Sequence, residues 1–279
     1  MIEHDSRPEL AALNSEPSVS TDGGSPSDRD SATGDVAFDL VDHVAVVELR
    51  RPPSNFFNEG LLRTLADTIS GLDEIDEVRS IVLCSEGKHF CAGADLRGMD
   101  AKGIRRIYRQ AFRLFTGRKP IIAALQGSAV GGGLGLALAA DFRIASPDAR
   151  LIANFARLGF HQGFGLSATL PALIGQQNAK ELLYTGHTVT GTTAKEINLC
   201  DATADDPRRA AVDFGRAIAE SAPLSVQAIR STLRRNLVAE VQKALEVEAD
   251  AQIALLETTD FAEGLDAAIC RRSPRFVGA

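Results

Sequence analysis

The sequence predicts an α/β fold in which strands and helices alternate through the first two-thirds of the chain and helices fill the remainder. Three observations carry the prediction. Short apolar runs at 44–49, 80–84, 120–125 and 142–145 are separated by segments whose apolar residues recur at helical spacing, the rhythm of parallel crossover units. A hydrophobic fraction of 44%, with 24 Gly and no Trp, suits close packing of helices on strands through small residues. At 279 residues the chain holds one large domain or two small ones, and this composition favours one.

Residues 1–34 are rich in Ser, Asp, Pro and Gly, with almost no large apolar residue after Leu13. Such a segment buries too little surface to offset the entropy of ordering it and reads as a disordered N-terminal tail. From Val36 the character changes. Residues 36–40 and 44–49, with Asp42 and His43 between them, read as a hairpin that opens a sheet. The stretch Arg51-Pro52-Pro53-Ser54-Asn55 stops the strand, and Asn58 stands where it can cap a helix carrying Leu61, Leu62, Leu65 and Ile69. A short buried strand at 80–84 follows, then an amphipathic helix near 104–115, a strand at 120–125, a glycine turn, a helix through Ala140 and a strand at 142–145. After Gly165 the pattern is mainly helical, at 166–174, 178–184, 193–198, 208–221, 225–250 and 261–271. Ser225, just past Pro223, reads as the cap of the longest of these. The C-terminal helices could cover a site or pack on another subunit.

A net charge of -7 argues against a nucleic-acid binder, which needs a concentrated basic surface. The basic groups at 105–109, 234–235 and 271–275 read as solvated surface charge. Cys84, Cys91, Cys200 and Cys270 show neither CxxC spacing nor the density of a disulfide framework, so a reducing, cytoplasmic location is expected. The apolar stretch at 121–140 is interrupted by Gln126, Ser128 and a glycine run, a poor membrane span. No Asp, Glu and His grouping has metal-ligand spacing, and no metal is expected.

Two loops carry chemistry. Gly87-Lys88-His89-Phe90-Cys91-Ala92-Gly93-Ala94-Asp95-Leu96 follows the strand ending at Cys84, and its small residues let a backbone amide approach a ligand closely. Further on, a strand enters at Ile121, three glycines turn at 131–133, and a small-residue helix leaves. Free amides at a helix N-terminus suit an oxygen that becomes negative during reaction. A phosphate-binding reading fails on specifics. No Lys-Ser or Lys-Thr follows the glycines, and the dinucleotide spacing with its later acidic residue is missing.

HFCAGADL, followed at the expected distance by KPIIAALQGSAVGGGLGLALAADFRIA, resembles the paired signature of the crotonase (enoyl-CoA hydratase/isomerase) superfamily. The likeness runs from about Val36 through Tyr184-Thr185-Gly186 to Phe276. It implies a crotonase-like repeated β-β-α superhelical core at 35–205, a C-terminal helical subdomain at 206–279 serving trimerisation or as a lid, and a homotrimer or dimer of trimers. It also implies an acyl-CoA thioester substrate, with CoA entering as part of that substrate and no separate cofactor. By this resemblance the amides of Ala94 and Gly132 form an oxyanion hole. Asn55, Phe56, Phe57, Ala92, Asp95 and Leu96 lie along the CoA crevice with Gly131, Arg97 stands near the CoA phosphates, and Arg271 and Phe276 reach a neighbouring subunit's ligand.

The departures from the family pattern matter as much. Family hydratases carry two glutamates that position water and move its protons; the matching positions here hold Gly135 and Phe155, and a position where some relatives place an aspartate holds Gly163. Between Cys91 and Leu170 the only acids are Asp95, Asp100, Asp141 and Asp148. Two-glutamate hydration is therefore not expected, whereas isomerisation, decarboxylation or C–C hydrolysis stay open, as does a non-catalytic acyl-CoA-binding subunit. His161, whose ordinary pKa lies near neutrality, is a candidate base, or else a histidine of a lid. Cys91 reads as a small buried residue rather than a nucleophile. Phe155, Phe160 and Phe164 read equally as an acyl pocket or as core.

Overall fold

The computed structural model describes residues 34–279, so all but the last residue of the expected N-terminal tail lies outside the described residues. The chain runs β1 (Val36–Val41), β2 (Val44–Leu49), α1 (Glu59–Asp73), β3 (Ser80–Ser85), α2 (Ala101–Phe115), β4 (Ile121–Leu125), β5 (Ala129–Val130), α3 (Gly132–Ala139), β6 (Phe142–Ala145) and β7 (Arg150–Ile152). A short 3-10 turn at Asn154–Leu158 then leads to α4 (Leu166–Thr185), β8 (Thr188–Thr190), α5 (Gly191–Glu196), β9 (Ala202–Thr203), α6 (Pro207–Ala219), α7 (Pro223–Leu255) and α8 (Thr259–Ile269).

Six strands form one sheet in the order β1-β2-β3-β4-β6-β9. Only β1 and β2 pair antiparallel; the other neighbours are parallel. The hairpin turns through Asp42 and His43, both at positive φ, which matches the twist that two-residue hairpins require. Asn58 caps α1 by accepting from the Leu61 amide at 3.0 Å. Asp100 does the same for α2 through Gly103 at 2.6 Å, and starts that helix three residues before the expected point.

Three sequence expectations change. Ser225 lies inside the first turn of α7; Pro223 starts the helix instead, and no side chain caps it, because proline's missing N–H costs nothing at the first helical position. The helices expected at 166–174 and 178–184 are the two arms of α4, kinked at Gly175 with φ 75°. A second sheet, β5-β7-β8, was not anticipated. Its strands have two or three residues each, too short to show a period.

Alternate residues of the central strands feed opposite faces, as a pleated strand dictates. Ala45, Val47, Leu83 and Ala123 join the main core with α1, α2 and α4. Val44, Val46, Val82, Ile122 and Ile144 face the other way, where Ala211, Ala210 and Phe214 of α6 cover them. Helix α7 packs on α2 and α4. It is tied to the end of the sheet by Asp141, which pairs with Arg230 and Arg234 at 2.8 Å each. Among the described residues no helix is long and apolar enough to cross a membrane.

Candidate active site

The first small-residue loop is zipped to the turn before α1. Asn55, at φ 50°, is fully buried. Its side chain accepts from Arg51 N at 2.9 Å and donates to the carbonyls of Glu86 and His89 at 2.9 and 2.8 Å. The Ala92 amide donates to Ser54 O, Phe57 N to Gly93 O and Asp95 N to Phe57 O, all within 3.0 Å. The Cys91 thiol donates to Asn55 O at 3.1 Å, and burial pushes its pKa up to about 12, so it stays a thiol and an anchor. In this ladder one amide is skipped: Ala94 N–H meets no acceptor among the described residues.

The second loop crosses the first. Cys91 N donates to Ser128 O at 3.1 Å, and Val130 N returns the bond to Cys91 O at 2.9 Å. Gly93 permits the crossing. It adopts φ 99°, and a Cβ there would lie 2.9 Å from Val130 O and 3.4 Å from Gly132 N. Gly131, at φ 55°, sends its amide to Ile152 O at 2.8 Å. Gly132 then opens α3, and its N–H has no acceptor among the described residues, as expected of a helix's first turn. The two unpartnered amides are close neighbours, since a Cβ built on Gly132 would sit 3.7 Å from Ala94 N.

Ala94 and Gly132 both line a cavity of about 570 Å³. Phe56, Phe57, Ala92, Ala94, Asp95, Leu96, Arg97, Gly131, Gly132, Phe155 and Gly163 line it; Asn55, Gly135, His161, Arg271 and Phe276 do not. Asn55 acts behind the wall, holding the turn that carries Phe56 and Phe57. The His161 ring turns back onto its own loop, with Nδ1 2.7 Å from Gln162 O. Arg271 and Phe276 follow α8 and are exposed. Asp95 and Arg97 form a two-pronged pair at 2.8 and 2.7 Å, which holds the Asp95 carboxyl below the ordinary aspartate range. Arg97 itself stays open to solvent. Leu96, Met99, Ile104, Ile107, Phe155 and Phe160 make the deeper walls apolar.

The spaces beside the two glycines are already filled. A Cβ at Gly135 would overlap Phe164 Cβ, and one at Gly163 would overlap the Tyr108 hydroxyl. Asp95 is the only carboxylate on the cavity wall among the described residues. Tyr108 and Gln252 also line the cavity, and the sequence reading missed both. Glu248, on the same helix as Gln252, is fully buried behind the wall and accepts from Gly165 N and Ser167 N at 2.8 Å each. Burial raises its carboxyl to about 7 against the lowering effect of those donors. Among the described residues no three His, Cys, Asp or Glu gather as metal ligands do.

The enoyl-CoA hydratase/isomerase family profile matches residues 40–279. The enoyl-CoA isomerase/hydratase fer4 of Mycosarcoma maydis is 35% identical over 72% of this chain and 77% of its own length. The crotonyl-CoA hydratase of Syntrophomonas wolfei is 30% identical over 84% of this chain and 94% of its own. A crystal structure of an enoyl-CoA hydratase/isomerase from Pseudoalteromonas atlantica superposes with a TM-score of 0.80 at 27% identity, covering 88% of this chain and 100% of that one. Sheet order, loop geometry and these likenesses agree: the chain belongs to the enoyl-CoA hydratase/isomerase family and has the crotonase fold.

Proposed function

We propose that this chain is an acyl-CoA enzyme that holds the thioester oxygen between the amides of Ala94 and Gly132 and stabilises the enolate formed there, without the glutamate pair of the family's hydratases. The carrying observation is that two unpartnered N–H groups from separate loops stand side by side on one cavity wall. Donors fixed in advance stabilise a developing oxyanion without the reorganisation water would need. The helix that begins at Gly132 adds the positive end of its dipole. Glutamate chemistry is set aside because Gly135 is screened by Phe164, Phe155 is apolar, and Asp95 is engaged by Arg97. Decarboxylation of an acyl-CoA needs little beyond enolate stabilisation and fits such a site better than addition of water, whereas isomerisation also needs a base to carry the proton.

The subunit is proposed to assemble as a homotrimer or a dimer of trimers. Leu224, Ile229 and Leu233 of α7 and Val277 near the C-terminus are exposed apolar groups that such contacts would cover. Light scattering should return a mass three or six times that of the chain.

Enoyl-, 3-oxoacyl- and malonyl-type CoA esters, followed by mass spectrometry, separate gain of water, loss of carbon dioxide and isomerisation. Gly132→Pro removes the N–H, while Gly132→Ala adds a Cβ and keeps it. The proline variant should be slower than the alanine variant by about 100- to 1000-fold. Equal rates in two folded variants would overturn the oxyanion assignment, and CoA-ester binding with no turnover of any ester would favour a non-catalytic binding subunit.

A further inference from the structure

The pairing of β5 with β7 sets residue 154 beside the glycine turn. Val130 stands opposite Ile152 in that short parallel pair, and the Gly131 amide donates to the Ile152 carbonyl at 2.8 Å. The chain then enters the 3-10 turn at Asn154. Gly186, which is not on the cavity wall, braces the turn from behind, since a Cβ there would come within 3.2 Å of the Asn154 Cα.

The Asn154 side chain consequently abuts the oxyanion hole. Its Oδ1 lies 3.1 Å from where a Cβ on Gly131 would stand, and Gly131 is the residue whose peptide bond carries the Gly132 N–H. The tip of the Phe155 ring is 3.7 Å from the same point, so the amide sits where the apolar wall meets the hole. Asn154 is half-buried and lines the cavity, makes no side-chain hydrogen bond to a described residue, and has neither end of its amide closed off from solvent. The other polar side chains of the wall are engaged or shut away. Asp95 and Arg97 hold each other, Gln252 donates to the His161 carbonyl, and the Tyr108 hydroxyl is enclosed. An acyl group that displaces water from the free amide must replace the lost hydrogen bond or leave the amide unmet at a cost.

We propose that Asn154 is a specificity-determining residue whose amide donates a hydrogen bond to an oxygen on the β carbon of the acyl group, the oxo group of a 3-oxoacyl ester or the carboxylate of a malonyl-type ester. The inference rests on the acyl-CoA reading above and narrows its substrate class. With the thioester oxygen between the Ala94 and Gly132 amides, the α and β carbons follow directly on the carbonyl carbon and come beside residue 154. A neutral amide suits a malonyl-type ester, because it orients the carboxylate without the strong ground-state stabilisation that a cation would give to a charge about to be lost. In that reaction the bond from the α carbon to the carboxylate breaks and its electron pair forms the enolate held by the two amides. Carbon dioxide leaves, and water protonates the α carbon and returns hydroxide to the solvent.

Calorimetric titration of the purified protein with acetoacetyl-CoA against butyryl-CoA, and with malonyl-CoA against propionyl-CoA, tests the proposal. KM replaces Kd where mass spectrometry finds an ester consumed. In at least one pair the oxygenated ester should bind about 3- to 10-fold more tightly, the range of a net hydrogen bond; a preference in the first pair identifies an oxo oxygen and in the second a carboxylate. Asn154→Leu, similar in size, should abolish the preference while binding the hydrocarbon esters at least as well. Asn154→Asp, which keeps the shape and adds a negative charge, should turn any preference for malonyl-CoA into discrimination against it. A preference that survives Asn154→Leu overturns the proposal, and so does equal binding within both pairs by the unaltered protein. Failure to bind any of the four esters would instead overturn the acyl-CoA reading beneath it.

Discussion

Phe164 occupies the space into which any side chain at residue 135 would project. A Cβ there would overlap Phe164 Cβ and lie 2.9 Å from its Cγ. The ring is 1% exposed and packs edge-on against Phe57, with centroids 5.4 Å apart. Gly135→Glu therefore forces a side chain into filled space instead of delivering a carboxylate to the cavity. It should cost about 1–3 kcal/mol, lower the melting temperature by several degrees, and confer no hydration of crotonyl-CoA. In the double variant Gly135→Glu/Phe164→Gly the loss should be smaller than the sum of the single losses, because the overlap is gone. Additive losses in thermal melts would count against the screening role of Phe164.

Gly132 and Phe57 form a second tight pair. A Cβ on Gly132 would stand 2.6 Å from Phe57 Cζ and 3.1 Å from Cε1, while Phe57 is almost completely buried. In Gly132→Ala the ring or the loop must shift, and the two amides shift with it. Catalysis depends steeply on such placement, so kcat/KM should fall about 10- to 100-fold while the far-ultraviolet dichroism stays unchanged. Full activity would show that the spacing of these loops does not control the reaction.

Much of this was legible because it is local. The hairpin announces itself in alternating strands around Asp42-His43, the Asn58 cap in its spacing to Leu61, and the crossing loops in their runs of Gly and Ala. What stayed hidden is what tertiary packing assembles. Tyr108 shares a helical face with Ile104, Ile107 and Ala111 and so reads as core, and Gln252 and Glu248 arrive from α7, more than a hundred residues further along. His161 shows the converse. It is a polar group in a promising segment, and the loop turns its ring onto the Gln162 carbonyl. Glycines at 135 and 163 marked missing carboxylates, but not which aromatic groups fill the vacated space.

Asp141 carries a heavier structural load than its place in the second motif suggests. It accepts from Ile121 N and pairs with Arg230 and Arg234 at 2.8 Å each, all three side chains being largely buried. Arg234 also donates to Ala139 O at 3.0 Å, so one carboxylate joins β4, the end of α3 and α7. Asp141→Asn leaves two buried guanidinium groups without their counter-charge. Breaking such a group from one side typically costs about 3–5 kcal/mol, and urea unfolding should show a loss of that order. A loss under about 1 kcal/mol would mean that solvent reaches the pair.

Glu248 gives the fold a pH dependence of unusual sign for a carboxylate. Its folded-state pKa of about 7 stands above the ordinary 4.5, burial outweighing the amides of Gly165 and Ser167. The folded protein therefore holds a proton that the unfolded chain has already released. The resulting stability is complete below about pH 4.5, is lost progressively as pH rises towards 7, and is constant above that. Its full size is on the order of 3 kcal/mol. Glu248→Gln removes the ionisation and should flatten this part of the profile, so that the variant gains on the parent protein between pH 5 and pH 8 in urea unfolding. A difference between the two proteins that does not change with pH would show that the carboxyl titrates alike in both states, and hence that α4 and α7 do not shield it from water.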